Sequence, residues 1–257
     1  MPDLATADLL DLLTSADPHE RDEVAYTELA GRITSGGEDG SLLVIGDRLV
    51  GYFEDGRVYA RSFAALVLAE VVTRDAMIGA LDPAAVHRWL AAFSDWYLEE
   101  QDLRGFDDDL GWLHAVAHGA DAIGAFARHR LLRRGELGGL LRLARDRVLS
   151  SGATLFAAHE DDRVALAMAL VLARPEVGGD ESVRWLNALE GAFASGEPGP
   201  VPPWVSNTVH TLRALYVLVH EGGHVPGEPS RSFSVPDRDL VTGAIARTLR
   251  ELFPFIG

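Results

Sequence analysis

Two histidines and an aspartate lie at helical spacing in one segment of the sequence. His118 lies four residues after His114, and Asp121 lies three residues after His118. At about 100° per residue, an α-helix would place these three side chains on one narrow face. The surrounding residues from Leu110 to Leu132 are mainly apolar, which predicts a helix buried around most of its circumference. A buried polar stripe needs partners, because imidazole and carboxyl groups lose their hydrogen bonds to water.

Three kinds of site fit this stripe. The residue types and spacing of His114, His118 and Asp121 are suited to a divalent metal such as zinc. The same groups fit acid–base chemistry, in which a carboxylate orients an imidazole. They also fit a structural network that joins neighbouring helices by hydrogen bonds. Apart from the candidate zinc ion, we expect no cofactor, and we expect Trp112 to pack beside the site.

Two other groups of polar residues are candidates to face the stripe. Asp162 and Arg163 stand at a predicted helix start, where one nearby carboxylate is expected to cap the helix. Asn207 and His210 lie on the helix predicted after Trp204, and their spacing of three drifts around its axis. We therefore predict a polar pocket lined by Trp112, His114, His118, Asp121, Asp162, Arg163, Asn207 and His210.

A literal metalloprotease motif occurs from His220 to His224, with the sequence HEGGH. A working motif needs both histidines on one continuous helix. Here Gly222 and Gly223 weaken that helix and Pro226 soon ends it. We predict a helix end with one glycine in a left-handed conformation, and no protease site.

The composition excludes several function classes. The chain has 257 residues, no lysine and no cysteine, so Schiff-base lysines, disulfides and thiolate chemistry are absent. Its formal net charge of −16 disfavours nucleic acid and anionic lipid as partners. We expect no signal peptide at Met1, and the densest apolar run, Val164 to Ala173, is too short for a membrane span. We expect a cytoplasmic protein.

Helical periodicity dominates the sequence, and we count about ten or eleven helices joined by short turns. The segment Leu42 to Tyr59 is interpreted as two helices broken near Gly56, and Arg21 is expected to face water on an early helix that follows Pro18. Residues 222–236 are predicted to form a mobile loop, since they are rich in Gly, Pro and Ser. The pattern predicts an all-α fold, an irregular α-solenoid of layered antiparallel helix pairs, with residues 1–257 in one domain.

The same central segment carries a resemblance to a known family. The strings Arg104-Gly105-Phe106 and Gly111–Asp121 (GWLHAVAHGAD) resemble the core signature of the bacterial family labelled domain of unknown function 2785. Supporting matches lie at Arg21–Tyr26, Arg61–Leu66, Glu160–Ala165 and Leu212–Tyr216. The resemblance implies an all-helical, solenoid-like fold of the HEAT type. It implies no activity, because the family has no established one.

These observations lead to three functional hypotheses. The first is a helical binding protein whose polar pocket takes a small polar molecule or a segment of a partner protein. The second is a metal-dependent, hydrolase-like enzyme in which His114, His118 and Asp121 hold the metal and its bound water. The third is a protein-interaction scaffold, which would present an exposed apolar patch.

Overall fold

A computed structural model describes residues 4–194, 199–253 and 255. Most of these residues are helical, which confirms the prediction of a mainly α-helical chain. The described strands form two short antiparallel hairpins. The residues cluster into two compact units, 1–131 and 132–257. The solenoid arrangement and the single domain stay predictions.

The first unit contains six α-helices and one hairpin among its described residues. The early helix that follows Pro18 is a π-helix over His19–Tyr26 that continues into α2, and a 3₁₀ turn over Tyr52–Glu54 follows α3. The other elements are α1 Thr6–Leu12, α2 Thr27–Ser35, α3 Leu42–Gly51, α4 Val58–Ile78, α5 Pro83–Glu99, β1 Phe106–Asp107, β2 Gly111–Trp112 and α6 Ala115–Arg128. The break between α3 and α4 confirms the interpretation of Leu42 to Tyr59.

Helix α4 forms the centre of this unit, and α2, α3 and α6 all pack against it. It is apolar around most of its circumference, so nearly every residue from Val58 to Val72 is buried. Helices α4 and α6 run in the same direction. Ser62 near the start of α4 contacts His118 near the start of α6, and Thr73 contacts Arg128 at the end of α6.

The helix predicted from Leu110 to Leu132 is shorter than expected. Gly111 and Trp112 form strand β2, and α6 begins at Ala115. The reason is local backbone geometry. Gly111 has φ +72° and His114 has φ +45°, both in the left-handed region, and a right-handed helix cannot continue through either residue. The placement of His114 on the helix was therefore wrong, while His118 and Asp121 do lie on it.

The second unit is also mainly helical. Helix α11 packs against α8 and α12, and α7 packs against both α8 and α11. The elements are α7 Arg134–Leu149, α8 Glu160–Leu172, α9 Glu181–Arg184, α10 Asn187–Ala194, α11 Pro203–Glu221, β3 Gly223–Val225, β4 Glu228–Phe233 and α12 Arg238–Leu252. None of the described helices in either unit has the length and apolarity that a membrane span requires.

Residues 222–236, predicted as a loop, contain the hairpin β3–β4. Helix α11 ends at Glu221, and Gly222 turns the chain with φ +80° and an extended ψ of −172°. A glycine ends the helix as predicted, although its ψ is not that of the left-handed helical region. His220 is thus the penultimate residue of a helix and His224 lies in a strand, which is incompatible with the metalloprotease arrangement.

Candidate functional site

The segment Gly105–His114 forms a tight structure that we name the aromatic hairpin. Phe106 pairs with Trp112 across its two strands, and Asp107 pairs with Gly111. The Asp107 carboxylate accepts the backbone N–H groups of Asp109 at 3.0 Å and Leu110 at 3.1 Å, which fixes the turn. These backbone donors, that of Leu110 foremost, lower the pKa of the Asp107 carboxyl. A charged turn residue thus closes the hairpin.

The base of the hairpin is closed by backbone hydrogen bonds. The carbonyl oxygen of Gly105 accepts the N–H groups of Leu113 at 2.9 Å and His114 at 3.1 Å. The carbonyl of His114 then accepts the N–H of His118 at 2.8 Å, which is the first hydrogen bond of α6. The hairpin is therefore joined directly to the helix that carries the polar stripe.

The buried side chain of Arg21 anchors the hairpin to the interior of the first unit. This side chain is fully buried, so the expectation that it faces water was wrong. Its guanidinium donates to the carbonyl oxygens of Leu110 at 2.7 Å and Ser15 at 3.2 Å. It lies 4.8 Å from the ring centre of Phe63, and its Nε is 2.7 Å from the Asp22 carboxylate. Arg21 belongs to the π-helix, whose wider turn departs from the 3.6-residue period used to place it.

Gly111 allows the hairpin to approach the π-helix closely. Its φ of +72° is a conformation that glycine adopts without strain. A Cβ atom at this position would lie 2.8 Å from Cβ of Pro18, well inside van der Waals contact. Both the turn and the contact with Pro18 therefore depend on the missing side chain.

A chain of aromatic rings runs from the hairpin surface into the unit. Phe106 meets Trp112 edge to face at 5.0 Å, and Trp112 stacks on the His114 imidazole at 4.3 Å. His114 meets His118 edge to face at 5.6 Å, and His118 meets Phe63 in the same manner at 4.9 Å. The outer rings are open to solvent, with Phe106 50% exposed and Trp112 45% exposed, whereas His118 is buried.

The position of His114 combines strain with packing. A left-handed conformation costs a non-glycine residue about 1 kcal/mol, although histidine tolerates it better than most residue types. His114 adopts it with φ +45° directly before α6, which brings its partly buried imidazole against Trp112. The imidazole therefore supports the underside of an exposed ring.

His118 is held by helix α4. Its Nδ1 lies 2.8 Å from the hydroxyl of Ser62, and both residues are buried. Close approach of α5 is also required at this level. The missing side chain of Gly119 leaves room for Tyr97, whose ring would lie 2.1 Å from a Cβ atom there. For His118, the hydrogen-bond partner that the stripe was predicted to need is thus Ser62 of α4.

Asp121 lies further along the same interface and is partly buried. Glu70 of α4 faces this region, and burial raises the pKa of its carboxyl, with a further contribution from the negative charge of Asp121. The positive charge of Arg128 acts in the opposite direction. Arg128 also donates to the hydroxyl of Thr73 at 3.1 Å. Together, Glu70, Thr73, Asp121 and Arg128 form a polar seam between the packed helices α4 and α6.

The predicted residues of the second unit are dispersed over its helices. Asn207 is buried, accepts the N–H of Phe156 at 2.9 Å, and donates to Ser151 and Thr154, so it anchors the segment before α8. Asp162 is exposed and lies 3.0 Å from the His159 imidazole. Arg163 is partly buried.

His210 is exposed and lies 3.6 Å from Asp161. The opposite burial of Asn207 and His210 follows from the drift of their spacing around α11. The pocket predicted to join these residues to the first unit stays a prediction. Within the described parts of the chain, no three His, Asp or Glu side chains are grouped so that they could hold a metal ion.

Sequence reasoning missed four residues that build the site: Arg21, Ser62, Phe106 and Glu70. Ser62 and Glu70 are isolated polar residues in an apolar helix, and no periodic pattern marks such positions. Arg21, Ser62 and Phe106 lie within the strings that carried the family resemblance, and that was the one signal that could have singled them out.

Comparisons with known proteins identify one family. The model of the family described as Protein of unknown function (DUF2785) matches residues 50–217, which is more than half of the chain. The match includes the aromatic hairpin and the whole polar seam, while Arg21 lies before it. No curated protein and no solved structure matches the chain. The chain belongs to the DUF2785 family.

Proposed function

We propose that this protein binds a segment of a partner protein, and that the aromatic hairpin forms the contact surface. The observation that supports this proposal is the exposure of Phe106 and Trp112 at 50% and 45% on a hairpin tied to a buried guanidinium. Aromatic side chains are enriched at protein interfaces, where they supply much of the binding free energy.

The anchoring of the hairpin favours recognition over a purely structural role. Arg21, Gly111 and the closed backbone of Gly105 hold the two rings in place before any partner arrives. A preorganised surface loses less conformational freedom on binding, so more of the contact energy appears as affinity. Two large apolar rings held in water on a short hairpin are difficult to explain by folding stability alone.

The distribution of the histidines also supports binding. The His118 side chain is buried between Ser62 and Phe63, whereas the rings that reach solvent are Phe106 and Trp112. The rings available to an external molecule in this region are therefore those of Phe106 and Trp112. Their geometry is suited to packing against a polypeptide segment.

An array of short peptides of varied composition tests this proposal. We expect the protein to retain a reproducible subset of the peptides, and Trp112→Ala and Phe106→Ala to lose that subset. Met77→Ala serves as a control, since Met77 is 68% exposed on α4 of the same unit and the proposal gives it no role. Retention of no peptide, or of the same peptides by Trp112→Ala, would contradict the proposal. Circular dichroism checks that each variant is folded.

A further inference from the structure

The charge around the aromatic hairpin is negative and unevenly compensated. Asp107 is paired with Arg104 at 2.5 Å and bonded to the turn backbone. The next two residues, Asp108 and Asp109, are exposed, and in the described part of the chain no cation lies within ion-pair distance of either carboxylate. Two uncompensated carboxylates therefore stand on the turn that joins the strands bearing Phe106 and Trp112.

The two rings form a corner that suits a cation. Phe106 and Trp112 lie at 75° to each other with ring centres 5.0 Å apart. The electron-rich faces of aromatic rings attract cations, and indole is the strongest of the natural rings in this respect. Carboxylates beside such a corner add long-range attraction that steers a positively charged partner towards it.

We propose that the partner's segment carries arginine, and that its guanidinium packs on Trp112 while pairing with the carboxylates of Asp108 and Asp109. This inference rests on the binding function proposed above and adds the chemistry of the partner. A guanidinium is planar and weakly hydrated, so it stacks on a ring and donates to carboxylates at the same time. A lysine ammonium has no planar face and is more strongly hydrated.

The test uses the full chain and a short fluorescent peptide of arginine, glycine and serine. Matched peptides replace every arginine with lysine, with citrulline, or with glutamate. Citrulline preserves the shape of arginine but has no charge, so it isolates the role of the cation. We expect fluorescence anisotropy at physiological salt to give a Kd for the arginine peptide at least about tenfold lower than that of the citrulline peptide. The lysine peptide should bind more weakly than the arginine peptide.

Variants of the protein separate the specific site from general attraction to an acidic chain. Trp112→Ala should weaken binding of the arginine peptide about tenfold, and Asp108→Asn combined with Asp109→Asn should weaken it and reduce its dependence on salt. The matched control is Asp8→Asn combined with Asp95→Asn, which removes the same charge from exposed positions on α1 and α5. This control should leave the Kd within about twofold of the parent.

The outcomes distinguish this inference from the function on which it rests. Equal affinity for the arginine and citrulline peptides, or for the arginine and lysine peptides, would overturn the assignment of arginine. Equal weakening by the Asp8/Asp95 control would also overturn it, since binding would then reflect net charge alone. If other peptides on the array bind through Trp112 while these do not, the binding function stands and the arginine assignment fails. If no peptide binds through Trp112, both fail.

Discussion

The motif Gly111–Asp121 divides into two regions with opposite environments. Its first part lies in the aromatic hairpin, where Trp112 is exposed and His114 has a left-handed backbone. Its second part lies on α6, where His118 is buried against Ser62. The two parts adjoin in sequence but have different partners. The comparison teaches that a contiguous motif can combine a recognition surface with the packing that supports it.

This division predicts that the two parts respond differently to substitution. Changes in the exposed rings should alter binding and leave stability nearly unchanged. Changes in the buried part should alter stability and leave binding unchanged as long as the protein folds. Residues that join the two parts should affect both properties, and Arg21 is the clearest of these because it contacts the hairpin and the buried ring of Phe63.

The largest effect is expected for Arg21→Met. The substitution removes the donors to Leu110 and Ser15 and leaves the carboxylate of Asp22 without its guanidinium. Loss of one member of a fully buried ion pair costs about 3–5 kcal/mol, and the lower end of that range applies here because Asp22 is only partly buried. Urea unfolding should therefore show a loss of about 3 kcal/mol or more, together with weaker binding by the hairpin. Unchanged stability would show that Arg21 is not the anchor.

A second large effect is expected for Gly119→Ala in the buried part. The added Cβ would lie 2.1 Å from a ring carbon of Tyr97, so α5 and α6 must separate. Overpacking of this kind costs about 1–3 kcal/mol. We expect the loss of unfolding free energy, measured by thermal unfolding, to lie in the upper part of that range.

The matched control for Gly119→Ala is Gly31→Ala in α2. The space around Gly31 is open, and alanine is the better helix former. This change should stabilise the protein by about 0.5–1 kcal/mol. Equal effects of the two glycine substitutions would contradict the close approach of Tyr97.

His118→Ala separates stability from binding. The variant loses the hydrogen bond to Ser62 and the packing against Phe63, which together should cost about 2 kcal/mol. The Kd for any peptide bound by the hairpin should stay within about twofold of the parent value. Trp112→Ala should show the reverse, with a small change in unfolding free energy and a large change in Kd. A loss of binding in a folded His118→Ala protein would place His118 in the recognition surface.

The sequence predicted the buried part of the motif better than the exposed part. His118 and Asp121 lie on α6 as the 3.6-residue period indicated, since helical periodicity is a strong signal over several turns. The hairpin has strands of only two residues, which are too short for any alternation pattern. Its geometry depends on two left-handed residues, and the conformation is too uncommon, even for histidine, to be predicted at His114 from the residue type alone.

The partners of the stripe were beyond sequence reasoning for a different reason. Helix α4 is buried on almost all sides, so its apolar pattern does not identify which face meets which neighbour. The sequence therefore could not show that Ser62 and Glu70 face α6. The need for partners could be inferred from the cost of burying His118 and Asp121. The identity of those partners depends on tertiary packing, which a single sequence does not encode locally.

The smallest predicted effect concerns the burial of Glu70. Because burial and the charge of Asp121 raise the pKa of its carboxyl, the folded protein resists the ionisation of this group. Its contribution to stability is therefore fully present below about pH 4.5, the ordinary value for glutamate, and is lost as the pH rises through the higher value of the folded state. Glu70→Gln removes this loss, so the variant should melt about one to three degrees higher at neutral pH and at the same temperature in acid.

Thermal unfolding at several pH values checks this prediction, with Asp108→Asn in the turn of the aromatic hairpin as the matched control. Asp108 lies in water, so its substitution should leave the melting temperature unchanged at every pH. A lower melting temperature for Glu70→Gln at neutral pH would mean that attraction between Glu70 and Arg128 outweighs the cost of burial. The polar seam would then stabilise the two helices through its charges, and the buried part of the motif would be held by more than the His118–Ser62 hydrogen bond and apolar packing.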